Sequence, residues 1–250
     1  MKSNLVGLAA LAVAACAGSV FATAVEIPMS AKVAGLPTQS GDGLNGKAWH
    51  FTGNDLFWAD MRMMDTPDDT YMVANKLKFR TAGAAYTPAG FLGNNGVMHS
   101  NPNWANSQLA DWKLYKWTGY IKIDNPGQYD FGVISDDGFR LKVGGQTISQ
   151  FDGNRSAART DGWANFSMAG LYEIEVLYWN ASGDARFDLL WNYANNSALT
   201  PGDAGPSVAD GGTSYYKYVP QSHLFKTPVP TPGAAALLGL GGLVASRRRR

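Results

Sequence analysis

Cysteine is almost missing from this chain: Cys16 is the single thiol in 250 residues. One cysteine excludes an intrachain disulfide, and its place in a leading apolar segment leaves the body to rely on its core or on bound metal. Histidine is nearly as scarce. His50, His99 and His223 show no ligand spacing with one another or with cysteine, so a zinc site has no support. Charged residues make up only 16% of the chain, and Glu and Gln are scarce, which points away from a helical protein. The formal charge of +1 misleads, because Lys2 and Arg247 to Arg250 lie in segments resembling targeting signals. Removing those five from 21 basic residues leaves 16 against 20 acidic ones. A mildly acidic body without a basic stripe excludes nucleic acid as the expected partner.

What is present points to strands. Glycine (29), tyrosine (11) and tryptophan (8) are plentiful, and 45% hydrophobic content can bury a substantial core. The expected class is all-β, an antiparallel β-sandwich or barrel, as one large domain or two small ones. A strand is expected from Gly43 through Trp49 and Phe51, with others over Met72 to Phe79 and Trp112 to Ile123. Thr81 to Gln108 is rich in Gly, Asn and Pro and reads as a long loop; Asp152 to Asn165 reads as polar. In Leu171 to Tyr178 the residues Tyr172, Ile174, Val176 and Tyr178 share one face and Glu173 and Glu175 the other. Phe187, Leu189 and Trp191 give the returning strand after a loop from Asn180 to Asp184, and Tyr215 to Phe225 adds a final edge.

The stretch that organises the rest runs from Gln128 to Val143. Tyr129, Phe131 and Val133 alternate toward one face, as do Phe139, Leu141 and Val143, and Ser135, Asp136, Asp137 and Gly138 lie between them. Two readings stand side by side. Asp and Gly between strands make an ordinary turn, and two adjacent carboxylates at a strand end can hold a metal. Asp68 and Asp69 look alike but lack a matching partner and read as a solvated loop.

Trp117 to Ile123, Gly127 to Phe131, Ser135 to Leu141 and Ala169 to Ile174 together resemble the anthrax protective-antigen lectin-like domain family, in order and spacing over about Gly43 to Phe225. Phe91, Leu92 and Gly93 resemble a motif of its bacterial members. The resemblance implies a lectin-like β-sandwich in which an adjacent Asp pair, often joined by a cis peptide, binds Ca²⁺ with an Asn and backbone carbonyls. Carried onto this chain, the metal ligands are Asp136, Asp137 and Asn180, with carbonyl oxygens of Ser182 and Asp184. Trp179 adjoins Asn180 and would stack on a sugar, or else be a core residue; Trp163 stands in the same position, and Asp152 and Arg155 either reach a ligand or are solvated loop residues. The implied function is Ca²⁺-dependent binding of a glycan or exopolysaccharide in adhesion or a biofilm matrix. Alternatively, the ion only stiffens the loops. Catalysis is not expected: glycoside hydrolysis needs two acids about 5 to 9.5 Å apart across a cleft, which sequence neighbours suit poorly.

The ends of the chain read separately. Lys2 and the apolar run from Leu5 to Ala22 have the layout of a secretory signal over residues 1–24, although Val13 to Cys16 also resembles a lipoprotein processing box. Residues 25–226 would form the domain. Residues 227–250 resemble the PEP-CTERM sorting signal of exopolysaccharide-producing Gram-negative bacteria. The tail combines Pro230 and Pro232, an apolar run from Ala234 to Ala245 and four terminal arginines, but carries Thr231 where the name-giving glutamate would be. It implies a transient membrane helix and inner-membrane sorting or processing machinery as a partner, with a cell-surface or extracellular destination. A basic disordered tail is the other reading.

Overall fold

The computed structural model describes residues 23–73, 76–81, 86–93, 99–107, 111–193 and 216–228. Residues 1–22, with Cys16, and the tail from Val229 onward lie outside the described residues. Among the described residues no helix is long and apolar enough to cross a membrane. The strands are β1 (Val25–Ile27), β2 (Lys32–Ala34), β3 (Leu44–His50), β4 (Asp69–Val73), β5 (Lys78–Arg80), β6 (Lys113–Ile123) and β7 (Gly127–Asp136). They continue as β8 (Phe139–Val143), β9 (Gln146–Phe151), β10 (Ala158–Phe166), β11 (Gly170–Asn180), β12 (Arg186–Tyr193), β13 (Lys217–Tyr218) and β14 (Leu224–Phe225). Among the described residues three short α-helices, α1 (Leu56–Arg62), α2 (Pro88–Leu92) and α3 (Pro102–Ser107), and two 3₁₀ turns, Met29–Ala31 and Gln221–His223, join them.

The strands form two sheets. One runs β1-β10-β7-β12-β13, with β5 also on β12; the other runs β4-β3-β6-β11-β8-β9, with β14 on β6 and β2 on β11. Every pairing is antiparallel except β1 with β10. Alternation explains the layers. Phe131 and Val133 of β7, Phe187 and Leu189 of β12, Trp117 of β6 and Val176 and Tyr178 of β11 point inward and are fully buried in one core. The expected antiparallel sandwich is therefore the observed one. On the outer face of β11, Glu173 is exposed, whereas Leu177 and Trp179 are buried with Trp49, Phe51 and Leu114 beneath Leu56 and Ala59 of α1. That second, smaller core anchors α1.

Five expectations change. The strand expected over Met72 to Phe79 is two: β4 ends at Val73 on β3 in one sheet, and β5 starts at Lys78 on β12 in the other. The run around Asp136 and Asp137 is not a hairpin: β7 pairs with β10 and β12 in one sheet, β8 with β11 and β9 in the other, so the chain crosses between sheets there. The same holds for β11 and β12. The region from Thr81 to Gln108 contains α2, which inserts Phe91 against Tyr115 and Tyr178 at 5.1 and 5.6 Å, and α3. Asp69 is no solvated loop residue: it opens β4, is buried, and accepts from Asn101 N at 2.9 Å and Ser100 Oγ at 3.2 Å while pairing with His99 Nδ1. The polar stretch after Asp152 holds β10, a full strand whose inward residues include Gly162 and Ala164. A side chain at Gly162 would meet Ile148 O at 2.3 Å, so the small residue permits the close approach.

Candidate metal and ligand site

Register places two loops at one end of the sandwich. Asp136 ends β7 opposite Arg186 at the start of β12, and Phe139 opens β8 opposite Tyr178 near the end of β11. The loop 137–138 and the loop 181–185 are therefore neighbours. Asp137 joins them: its Oδ2 accepts from Ala181 N at 2.7 Å and its Oδ1 from Arg155 N at 2.9 Å, on a third loop after β9. Main-chain bonds hold the carboxylate from behind, with Asp137 N donating to Trp179 O at 3.2 Å and Trp179 N to Gly138 O at 3.1 Å. The Asp136 to Asp137 peptide is cis, and Tyr178 OH donates to Asp136 O.

Asp136, Asp137, Asn154, Arg155, Ser156, Ser182 and Asp184 line one cleft of about 470 Å³. Burial, then the Asp137 charge, and more weakly Asp184, raise the Asp136 carboxyl to about 6. Asp137 is raised too, by burial, against the bonds from Ala181 and Arg155. Burial brings the Arg155 guanidinium down to about 10 although both aspartates oppose it. Its groups bond Ser135 Oγ and Thr160 Oγ1, each at 2.8 Å, and it lies 4.2 Å from the Phe151 ring centroid. Arg155 is thus an anchor for the loop as well as a cleft wall. The facing loop is tied by Tyr86, whose hydroxyl donates to Gly183 O, by Ala185 N to Thr81 Oγ1 at 2.8 Å, and by Trp112 N to Ala181 O at 2.9 Å. Among the described residues no three His, Cys, Asp or Glu side chains converge into a metal-holding group by themselves. An ion in this cleft would need main-chain or amide oxygens besides carboxylates.

The family model of the PA14 domain, described by that name, matches residues 93–205. The fold is that of a PA14 domain. Among solved structures the chain is similar to the PA14 domain of the MpAFP antifreeze protein, with 21% identity, a TM-score of 0.59 and coverage of 79% of this chain and 97% of that one. It is similar as well to the PA14 sugar-binding domain from an RTX adhesin, with 20% identity, a TM-score of 0.54 and coverage of 75% and 99%. At these identities the likeness concerns the fold. No curated protein sequence matches the chain.

The PA14 sandwich brings Asp136, Asp137, Ser182 and Asp184 to one cleft and sets Asn180 behind it. Asn180 is fully buried at the end of β11, and its Nδ2 donates to Tyr86 OH at 3.2 Å. Three sequence candidates belong elsewhere. Trp179 is 0% exposed in the core under α1, so its ring cannot stack on a sugar; its Nε1 instead donates to Asn154 Oδ1 at 3.3 Å and steadies that loop. Asp152 accepts from Leu56 N at 2.7 Å and fastens the loop after β9 to α1. Trp163 pairs with Asp130, five residues along β7 from Ser135, which at about 3.4 Å per residue removes it from the cleft. Asn154 and Ser156 were not singled out by sequence. Their signal was only the neighbouring Gly153 with its positive φ, which marks a turn and not a ligand.

Proposed function

We propose that this chain is a carbohydrate-binding module that uses Ca²⁺ and acts without turnover. The observation that carries the proposal is the meeting of two sheet-crossing loops, one with Asp136 and Asp137, the other with Ser182 and Asp184, around one cleft. The donor set fits a hard dication. Ca²⁺ takes about 6 to 8 oxygens; the Asp136 and Asp137 carboxylates and the carbonyls of Ser182 and Asp184 would supply several, the Asn180 amide another from behind the cleft, and hydroxyls of a sugar would complete the shell. Three carboxylates against the single Arg155 guanidinium leave the cleft anionic, and a cation would relieve the Asp137 and Asp184 repulsion that adds to burial in raising Asp136. The RTX adhesin domain with the same fold is described as sugar-binding. The leader-like residues 1–24 and the sorting-signal-like residues 227–250 support export and action at the cell surface, in adhesion or in an exopolysaccharide matrix.

Asp137 favours a second reading, because both its oxygens already hold the loops through Ala181 N and Arg155 N. In that reading the ion only stiffens the loops. Calcium titration by calorimetry, followed by a glycan array with and without chelator, separates the two. A chelator-sensitive glycan signal supports binding through the ion; a higher unfolding temperature with calcium and a blank array supports the structural role; no calcium uptake removes both.

A further inference from the structure

On the outer face of the second sheet, beyond the small core that buries Trp179, α1 and the loop before it enclose another cleft of about 710 Å³. It is lined by His50, Phe51, Thr52, Gly53, Asn54, Trp58, Met61, Arg62, Met64 and Asp65. Its apolar part is exposed, with Trp58 at 54% and Met64 at 78%. Such a patch on a folded surface marks a binding site more often than an accident of packing. The indole is held at its base. Asp55 Oδ1 caps α1 by accepting from Trp58 N at 2.9 Å, and at Gly53 an added Cβ would lie 2.5 Å from Trp58 Cβ, so glycine lets the loop close on the helix.

Charge decides between occupants. Arg62 is consumed by Asp65 at 3.0 Å and Asp68 at 3.2 Å, with its Nε donating to His50 O at 2.9 Å, so the cleft offers no free cation to an anionic lipid surface or an acidic peptide. What it does offer is neutral hydrogen-bonding capacity beside an aromatic face. Among the described residues the side chains of His50, Thr52 and Asn54 make no hydrogen bond within the protein. A fixed, exposed indole ringed by an uncommitted hydroxyl, amide and imidazole matches a ligand with an apolar face and a polar rim, as a pyranose ring has.

We propose that this cleft is a second saccharide site, independent of calcium, in which Trp58 stacks on a neutral pyranose and His50, Thr52 and Asn54 take its hydroxyls. The two clefts are linked through the small core: Phe51, which lines this one, packs edge-on against Trp179 at 6.2 Å, and Trp179 Nε1 bonds Asn154 of the other cleft.

The test is affinity electrophoresis of the full chain through native gels containing dextran, xylan or galactan, all in the presence of chelator. At least one polymer should retard the wild-type chain; Trp58→Ala should weaken that retardation about tenfold, Trp58→Phe should restore most of it, and Trp163→Ala on the other sheet should leave it unchanged. Unfolding temperatures of the variants show that they are folded. No chelator-resistant retardation by any of the three polymers, or equal retardation of Trp58→Ala, overturns the proposal. So does a wild-type dimer, or flotation with phosphatidylcholine vesicles, that Trp58→Ala abolishes. Because chelator is present throughout, failure of the calcium reading leaves this result intact, and the reverse holds as well.

Discussion

Replacing Gly138 by alanine tests how the carboxylate pair is supported. An added Cβ would lie 2.0 Å from Cζ2, 2.2 Å from Cη2 and 2.6 Å from Cε2 of Trp179. Ordinary carbon contacts need about 3.5 Å, so the ring or the backbone must give by roughly 1.5 Å. Neither is free to move: the indole is fully buried among Phe51, Leu56 and Leu177, and the backbone is locked by the paired bonds between Asp137, Gly138 and Trp179. Overpacking of this kind costs about 1–3 kcal/mol, and at about 2–4 °C per kcal/mol for a domain of this size the unfolding temperature should fall by roughly 2–12 °C. Trp179→Leu alone should cost about 3 kcal/mol by leaving a cavity. The double variant decides the matter, because the alanine then occupies space the indole has vacated. Its loss, measured by denaturant unfolding, should be smaller than the sum of the single losses by about 1 kcal/mol or more. Additivity within about 0.5 kcal/mol would refute the claim that Trp179 supports the Asp137 loop through Gly138.

Asp137→Asn in chelator should cost about 2–3 kcal/mol, since two main-chain donors lose a charged acceptor; the same variant should show no calcium-dependent rise in unfolding temperature, and an undiminished rise would count against Asp137 as a ligand. The pH response follows from Asp136. Its carboxyl holds its proton up to about 6 in the folded chain, above the unfolded value of about 3.9, so the folded state binds more protons and this group's contribution to stability falls as pH rises from about 4 to 6. Two units correspond to about 3 kcal/mol, reduced to roughly 1–2 by solvent screening of a partly exposed group. In chelator, Asp136→Asn should therefore gain on wild type between pH 4.5 and 7, and a pH-independent difference would contradict this. Asp69→Ala, which removes the buried carboxylate that His99, Ser100 and the Asn101 N–H share in a part-buried setting, should cost about 2–3 kcal/mol in denaturant unfolding.

The alternation of large apolar residues made β7, β8, β11 and β12 legible, because each sends Phe, Leu, Val or aromatic side chains to the core at every second position. β10 escaped notice for the complementary reason: its inward positions are Gly162, Ala164 and Phe166, and two of those three carry almost no hydrophobic signal. Helix α1 is seven residues long and is held by Leu114, Leu177 and Trp179 from distant segments, so its one local signal is the N-cap Asp55. Of the two readings of Trp179, sugar platform and core residue, the structure supports the second, although alternation sends it to the outer face of β11. That direction is right. What alternation cannot express is that α1 covers the last part of that face while Glu173 stays in water.

The closest coupling between fold and site lies in pairing, which local pattern does not contain. A strand, a short acidic loop and another strand look the same whether they form a hairpin or pass from one sheet to the other. Here β7 ends beside the start of β12, and β8 starts beside the end of β11. Given those two registers, the crossing at 137–138 and the crossing at 181–185 must share one end of the sandwich. Asp137 then has a reason to be aspartate that a hairpin turn would not supply: it reaches across, from its own crossing to Ala181 N on the other. The adjacent Asp136 remains with a raised carboxyl, and its main-chain donor is Ala157 on the loop after β9 and not a residue of the facing loop. Of the pair, Asp137 is therefore bound to the architecture, and Asp136 is the carboxylate whose charge a bound cation would change most.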